Sequence, residues 1–553
     1  MECVIRFAQS HETFRQAEIE ALASLAGVDV EFVWYDKYSP FCIAKFPDIE
    51  AARRVISRSV LAQDVFELWG RGVTHEELHA DVRRRTEHRW KDYKEVSFRF
   101  LIDTFSAKRS QAEKRSLIES FQFLDFQGPI QLKDPDEDFV IFEDYVSDVE
   151  EIQLQEQQQQ QNQEPPKQGK RRDLKNVYFG RWICASSRNM MHKYDLKKRK
   201  YISTTSMDAE LSLVTANMAH AAPGKLFFDP FVGTGSFLIA AAYFGAATFG
   251  ADIDGRSFKG RHKITKENPM GLLANFQQYG IENKFVDAFM SDLTNTPIRD
   301  VPFLDGIICD PPYGIREGLR VLGVREGKSK QPAYKDGVLA YTRDDYVPPK
   351  KPYGFVTLQH DILDFAARTL VVGGRIAMWM PTANEQNVEF IIPTHPQLEI
   401  ANIGVQQFST WSRRLLTYRK LPEGEVSSVS RIKSATDDPN GVTADELNEF
   451  RRLGVEESIQ SQSIIPINIQ INPFLLLNPL HLPRQLLPQQ SGQFLAFVII
   501  QILSSATTEH RPTGRCGHGI CRYEWWSGDD VEVDVGDYLG CSCACPFRRH
   551  VSR

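Results

Sequence analysis

Two short strings concentrate the residues that could do chemistry. Asp310-Pro311-Pro312-Tyr313 closes the apolar run Leu304-Asp305-Gly306-Ile307-Ile308-Cys309, and Asp229-Pro230-Phe231-Val232-Gly233-Thr234-Gly235-Ser236 stands upstream. In the first string, the Asp310 carboxylate and the Pro311 carbonyl can each accept an N–H from one amine. An aromatic amine is a poor nucleophile because its lone pair is delocalised into the ring. Two acceptors on its N–H groups draw the nitrogen towards tetrahedral geometry, so the string suits transfer of a group onto such an amine. Pro311 and Pro312 hold the backbone extended and remove competing N–H donors. Tyr313 offers a ring on which an extruded base can stack. A tight turn alone would explain the prolines, but not an acid and an aromatic flanking them at a strand's carboxyl end.

In the second string, Asp229-Pro230-Phe231 ends a strand and Gly233-Thr234-Gly235 turns into a helix running from Ser236 to Phe244. Glycine admits a ligand close to the backbone, and the helix start offers unpaired N–H groups to a carboxylate. Asp252, about twenty residues on at the tip of the next strand, is placed to accept ribose hydroxyls, with Asp254 beside it. Asp292 follows a third strand and can accept from an adenine amine. A dinucleotide turn would read G-x-G-x-x-G, whereas only one Gly-x-Gly is present, so the string reads as a site for S-adenosyl-L-methionine. Gly323 to Ser329 imitates a phosphate loop but is one residue short and follows no clear strand. Cys309, inside its strand and without a thiolate partner, reads as a buried residue.

These strings need a frame. The segment from Asn176 alternates strands and helices: Lys225–Asp229, Thr248–Asp252, Phe285–Phe289, Gly306–Cys309 and Arg375–Met380 are short apolar runs, most ending in a carboxylate. Such runs suit parallel strands covered on both faces, with ligands at their carboxyl ends. Strands near Leu398–Val405 and Arg414–Tyr418 bring the count to seven. The fold class is therefore α/β, a Rossmann-like sheet over residues 176–453. Ahead of it, residues 1–72 read β-α-β-β-α-β, a ferredoxin-like unit. A second α+β unit occupies 73–148. Residues 149–175 hold a Gln-rich stretch that cannot bury a core. As a linker it separates two cores, so removal of Met1 to Tyr145 is expected to leave a folded cofactor-binding domain.

The formal charge of -6 is mild, so any nucleic-acid surface must be local. Arg83-Arg84-Arg85, Lys170-Arg171-Arg172, Lys197-Lys198-Arg199-Lys200 and a basic, tyrosine-containing stretch from Arg316 to Lys351 supply candidates. The N-terminus carries no secretory pattern, and the longest apolar run, Phe494 to Leu503, is about half a membrane span. Cys3, Cys42, Cys184 and Cys309 share no spacing, which fits a reduced, cytoplasmic setting. No metal site is expected. In the tail, residues 454–553, Cys516, Cys521, Cys541, Cys543 and Cys545 miss the usual zinc spacings. That segment reads as unpacked, or as an artefact of the gene model.

Taken together, the chain resembles the eukaryotic tRNA (guanine-N2-)-methyltransferases that modify guanosine at position ten. The resemblance runs to about Arg452. It rests on Phe179-Gly180-Arg181, Ser203-Thr204-Thr205-Ser206-Met207-Asp208-Ala209-Glu210, the two strings above and Gly250-Ala251-Asp252-Ile253-Asp254-Gly255-Arg256. It implies a THUMP module binding tRNA, for which Leu132-Lys133-Asp134-Pro135-Asp136 is similar to the late signature. It also implies that Thr204, Thr205 and Ser206 close over the cofactor's methionine end. A small zinc-binding activator subunit, docked by strand addition on the methyltransferase sheet, is a further implication. Two other functions fit parts of the pattern: an adenine-N6 methyltransferase of DNA or RNA, and a non-catalytic RNA-binding scaffold.

Overall fold

The computed structural model describes residues 1–428 except 149, 153–172, 204–205, 260–270, 315–318, 325–333, 344–345, 347, 384–391 and 409–410, and beyond them only 520–524 and 530–534. The first strands are β1 (Glu2–Phe7), β2 (Glu31–Tyr35), β3 (Phe41–Lys45) and β4 (Ala62–Gly72), with helices α1 (Glu12–Ala26) and α2 (Ile49–Ile56) between them. Helix α2 starts where Asp48 accepts the Ala51 amide, which satisfies one of the helix's free donors. Then follow α3 (His75–Thr86), β5 (Phe98–Phe105), α4 (Gln111–Glu119), β6 (Glu137–Tyr145) and β7 (Leu174–Ala185).

All seven strands form one sheet, ordered β2-β3-β1-β4-β7-β6-β5. Strand β7 is the joint. It runs antiparallel to β4, with Glu67 opposite Arg181, and antiparallel to β6, with Phe139 opposite Arg181. The expected border at 72/73 runs through this one sheet, and the expected border at 175/176 falls inside β7. Residues 149–175 join two paired strands rather than two domains. Burial explains why: Phe179 of β7 packs with Trp69, Phe98, Phe121 and Phe139 in one aromatic core. Without β7 that core would lose its centre.

The second sheet matches the expected seven strands. It comprises β8 (Leu226–Asp229), β9 (Ala247–Asp252), β10 (Phe285–Met290), β11 (Leu304–Cys309), β16 (Leu370–Ala383), β17 (Leu398–Gln407) and β18 (Trp411–Lys420). Short strands β12 (Arg320–Leu322), β13 (Tyr334–Lys335), β14 (Val338–Leu339) and β15 (Lys350–Pro352) decorate the loop after β11. The order is β10-β9-β8-β11-β16-β18-β17. Strand β18 runs antiparallel to both neighbours, while the first five are mutually parallel. Helices α5 (Ala209–Met218), α6 (Ser236–Tyr243), α7 (Leu272–Tyr279) and α8 (Phe355–Thr369) cover its faces.

The two sheets share a core. Phe14, Ala17, Ala21, Val60 and Leu61 from the first region cluster with Leu211, Val214, Trp379 and Leu415 from the second. Phe14 sits 5.9 Å from Trp379, ring centre to ring centre. Gly404 of β17 makes room for it: a Cβ there would stand 2.2 Å from the Phe14 ring. The Thr13 hydroxyl donates to the Val405 carbonyl at 2.7 Å and accepts the Val405 amide at 3.0 Å. Buried Glu18 accepts from the Ser59 hydroxyl, the Val60 and Leu61 amides and the Asn217 amide group. A cut after Tyr145 would therefore strip the second region of packed aromatic surface and orphan β7. The fragment expected to fold on its own would lack this whole interface.

Residues Pro466–Arg553 form a separate unit. Its described part is the antiparallel pair Ile520–Glu524 with Asp530–Asp534, which the segment's composition does not signal. The other readings made for the tail lie outside the described residues.

Candidate active site

Strands β8, β9, β10 and β11 all end on one side of their sheet, and the strand order reverses between β8 and β11. That reversal opens a crevice at the carboxyl ends. A shallow cleft of about 40 Å³ lies there, with Pro230, Phe231, Ile253, Asp292 and Pro312 in its wall. Both strings read from the sequence meet at it.

The glycine turn adopts left-handed backbone at Gly233 (φ 49°) and Gly235 (φ 76°). A side chain at Gly235 would also collide with Leu272, whose Cδ1 lies 2.0 Å from the Cβ position. Ser236 then opens α6. Asp252 is pinned beneath the turn: its Oδ2 accepts the Gly233 amide at 3.1 Å and its Oδ1 the Asp254 amide at 2.9 Å. Each oxygen keeps a further lone pair for a hydroxyl. The Thr234 and Ser206 hydroxyls bond at 2.6 Å, tying the segment before α5 to the turn. Thr204 and Thr205 lie outside the described residues.

Two other expected ligands already hold partners of their own. The Asp254 carboxylate faces the Arg256 guanidinium at 2.5 Å on the surface, and that hydrogen-bonded partner lowers its pKa to about 2. Asp292 is buried in the cleft wall and already holds three groups: the Thr294 amide and hydroxyl, both at 3.0 Å, and the Leu322 amide at 2.6 Å. A bond to an adenine amine would be a fourth.

Asp310 stands at the end of β11, in the middle of the sheet. Its Oδ1 is closed off from solvent and has no hydrogen-bond partner among the described residues. Burial lifts the carboxyl to about 6, against the opposing pull of the Tyr313 phenol and the Arg413 guanidinium. Pro311 is buried and Pro312 exposed towards the cleft. Asp229, buried at the end of β8, accepts the Phe231 amide at 2.9 Å. Burial, then the charges of Asp252 and Asp310, push its pKa well above the usual carboxylate range. Three acids thus stand on neighbouring strand ends, with Asp252 and Asp310 both raising Asp229, an environment that favours a positively charged ligand. Cys309 is fully buried, which pushes its thiol far up and removes it as a nucleophile.

One part of the site escapes sequence reading. Strands β17 and β18 form a hairpin whose tip reaches the same end of the sheet as Asp310. Trp411 meets the Tyr313 ring edge-on at 6.3 Å and stacks on Phe408 at 4.6 Å. Arg413 donates to the Gln406 side-chain oxygen across the hairpin at 3.0 and 2.6 Å. Its guanidinium lies over Trp379 and Phe408. Only sheet register brings these residues to the tetrapeptide; the aromatic-x-x-aromatic spacing Phe408 to Trp411 is the sole local trace.

Comparison with known proteins places both halves. A family model described as Tmrp11 THUMP N-terminal domain matches residues 1–188, which agrees with β7 belonging to the first sheet. A model described as RMKL-like, methyltransferase domain matches residues 197–321. The tRNA (guanine(10)-N(2))-methyltransferase of Saccharomyces cerevisiae is 40% identical over 421 residues, covering 75% of this chain and 92% of that protein. The Schizosaccharomyces pombe protein of the same name is 37% identical over 390 residues, 70% of this chain and 76% of its own. Human tRNA (guanine(10)-N(2))-methyltransferase TRMT11 is 36% identical over 435 residues, 76% and 89% of the two chains.

Proposed function

The chain belongs to the tRNA (guanine(10)-N(2))-methyltransferase family, and we propose that it transfers a methyl group from S-adenosyl-L-methionine to the exocyclic N2 of guanosine ten in tRNA. One observation carries the reading: Asp310 presents a buried carboxylate oxygen without a partner at the topological switch point, beside a left-handed glycine turn. The cofactor, when bound, supplies a methyl carried on a sulfonium. The acid-rich strand ends Asp229, Asp252 and Asp310 suit its positive charges, Asp252 suits the ribose, and Ser206 and Thr234 suit the methionine end.

Asp310 and the Pro311 carbonyl accept hydrogen bonds from the two amine N–H groups and turn the nitrogen lone pair towards the methyl; the one proton surplus on the methylated nitrogen then leaves through the Asp310 carboxylate. No covalent enzyme intermediate is required, so orientation and electrostatics perform the catalysis. Tyr313 and Trp411 bound the space for an extruded base. The first sheet, matched by the THUMP description, is the element we assign to tRNA binding.

Strand β10 is an edge of the methyltransferase sheet, and it exposes Val286 (66%) and Met290 (50%). We assign this edge to the small zinc-binding activator subunit, by strand addition. Among the described residues no helix is long and apolar enough to cross a membrane, and Cys3, Cys42, Cys184 and Cys309 are free and buried. Both fit work on tRNA in the cytoplasm.

The test is methylation of a tRNA transcript followed by digestion to nucleosides. N2-methylguanosine is expected, and a transcript with inosine at position ten, which lacks the amine, should be inert. N6-methyladenosine in the digest would instead establish the adenine reading. Absence of any transfer by the enzyme with its activator would leave the scaffold.

A further inference from the structure

Arg413 ties together more of the site than the hairpin itself requires. It stands on β18 directly opposite Gln406 of β17, and its Nε and Nη2 both donate to the Gln406 side-chain oxygen. Its Nη1 meets the Met207 sulfur at 3.5 Å. Met207 follows Ser206, whose hydroxyl is bonded to the glycine turn. The guanidinium carbon lies 5.2 Å from the centre of the Trp379 ring and 5.6 Å from that of Phe408. An arginine held by a fork and two rings has little freedom to swing. An amide oxygen and a thioether are uncharged acceptors, so these contacts fix the group without neutralising it. Among the described residues no carboxylate forms an ion pair with it.

That charge is directed at the tetrapeptide. Arg413 acts on the Asp310 carboxylate and on the Tyr313 phenol, and the phenol interacts with both partners. Among the described residues Arg413 is the only cation acting on Asp310. The other titratable groups that meet Asp310 are Asp229 at the end of β8 and Cys309 on its own strand. Both sense its charge, and neither supplies a positive one. A buried acid in the middle of the sheet thus has a single counter-charge, delivered from a strand two places away.

We propose that Arg413 is a positioning residue for methyl transfer: braced by Gln406, it holds the Tyr313 ring against Trp411 and presents a positive charge to the Asp310 carboxylate. This rests on the reading of Asp310 as the acceptor for the target amine. Arg413 acts through Tyr313 and Asp310 and needs no contact with the amine. Neither string contains it, and only the hairpin register brings it in.

The experiment is the pH profile of methyl transfer to tRNA, with the same enzyme preparation as the nucleoside assay, for wild type, Arg413→Gln, Arg413→Lys and Gln406→Ala. In Arg413→Gln the acid limb, expected near pH 6 in wild type, should move up by about one unit, the scale of a lost opposite charge. Its plateau kcat should fall about tenfold while cofactor affinity stays within about threefold, because the residue positions the acceptor and not the donor. Arg413→Lys, which keeps a charge but cannot fork onto Gln406, should return the limb to its wild-type place and leave kcat low. Gln406→Ala removes only the brace and should lower kcat by about threefold with an unchanged melting curve. Should Arg413→Gln not fold, the turnover of Gln406→Ala decides. An unmoved limb in Arg413→Gln, equal losses of transfer and cofactor binding, or full turnover in Gln406→Ala would each overturn the proposal and leave Asp310 in its role. A wild type without an acid limb would overturn both.

Discussion

Replacing Asp310 by Asn separates the catalytic cost of the site from its function. In the folded protein burial holds this carboxyl at about 6, against an ordinary value of 3.8. A difference of roughly two pKa units corresponds to about 3 kcal/mol between the protonation states. The sign follows from linkage. The folded state binds the proton more tightly than the unfolded chain, so stability falls as pH rises from about 4 to about 6. Above 6 the penalty is complete, and below 4 it is absent. Asp310→Asn keeps the shape and removes the charge. It should therefore be more stable than wild type by about 2–3 kcal/mol at pH 8, with the gain shrinking to near zero at pH 4. Urea denaturation at the two pH values measures this directly. Methyl transfer by the same variant should drop by a factor of about 10²–10⁴, the usual range for a lost proton-handling or amine-orienting group, with cofactor affinity unchanged within a few-fold. A gain in stability that does not depend on pH, or a variant with near-wild-type turnover, would refute the assignment of Asp310 as a desolvated acceptor for the amine.

The wild-type rate should fall as pH drops through about 6, because only the ionised Asp310 is a charged acceptor for the amine N–H; a flat profile from pH 5 to 8 would count against it. Asp252→Ala should weaken cofactor binding by about 1.5–3 kcal/mol, the scale of a hydrogen bond to a charged acceptor; equilibrium titration gives the answer, and unchanged affinity removes the ribose role. Phe14→Ala should destabilise the chain by about 3–5 kcal/mol through the cavity left against Trp379, so removal of Met1 to Tyr145 should yield insoluble or unfolded protein. A soluble fragment with a cooperative melt would contradict the shared core. Trp411→Ala should raise KM for tRNA, by about 1–3 kcal/mol of lost base stacking, and leave S-adenosyl-L-methionine affinity alone; a variant that loses cofactor binding instead would place Trp411 elsewhere in the mechanism.

Chemistry was legible in this sequence wherever it is local. Asp229, Asp252 and Asp310 each terminate an apolar strand of four to six residues, and parallel strands deliver their ends to one side of a sheet without further instruction. Distant pairing was less legible. Strand β7 reads as the start of the second region because a long polar insertion separates it from β6, its sheet neighbour. The true partners of Phe179 lie from Trp69 to Phe139, and nothing in the local pattern of β7 points to them. What already holds Asp254 and Asp292 was hidden for another reason. A carboxylate placed correctly along the chain can still be claimed by a nearer donor, here Arg256 for one and Thr294 with Leu322 for the other. The Trp411 hairpin was hidden because its contact with Tyr313 is created by the antiparallel run of β18 against β16, which ends with Trp411 opposite Ala383.

The recess at Gly404 has a mechanical meaning. A phenylalanine seated where a single added carbon would clash, with threonine bonded on both sides of the next residue's backbone, acts as a keyed joint and not a hinge. With tRNA held on the first sheet, as proposed above, this joint would set the span from the grip to the point of methyl delivery, like the gap of a caliper. An enzyme built this way selects its nucleotide by distance from the grip.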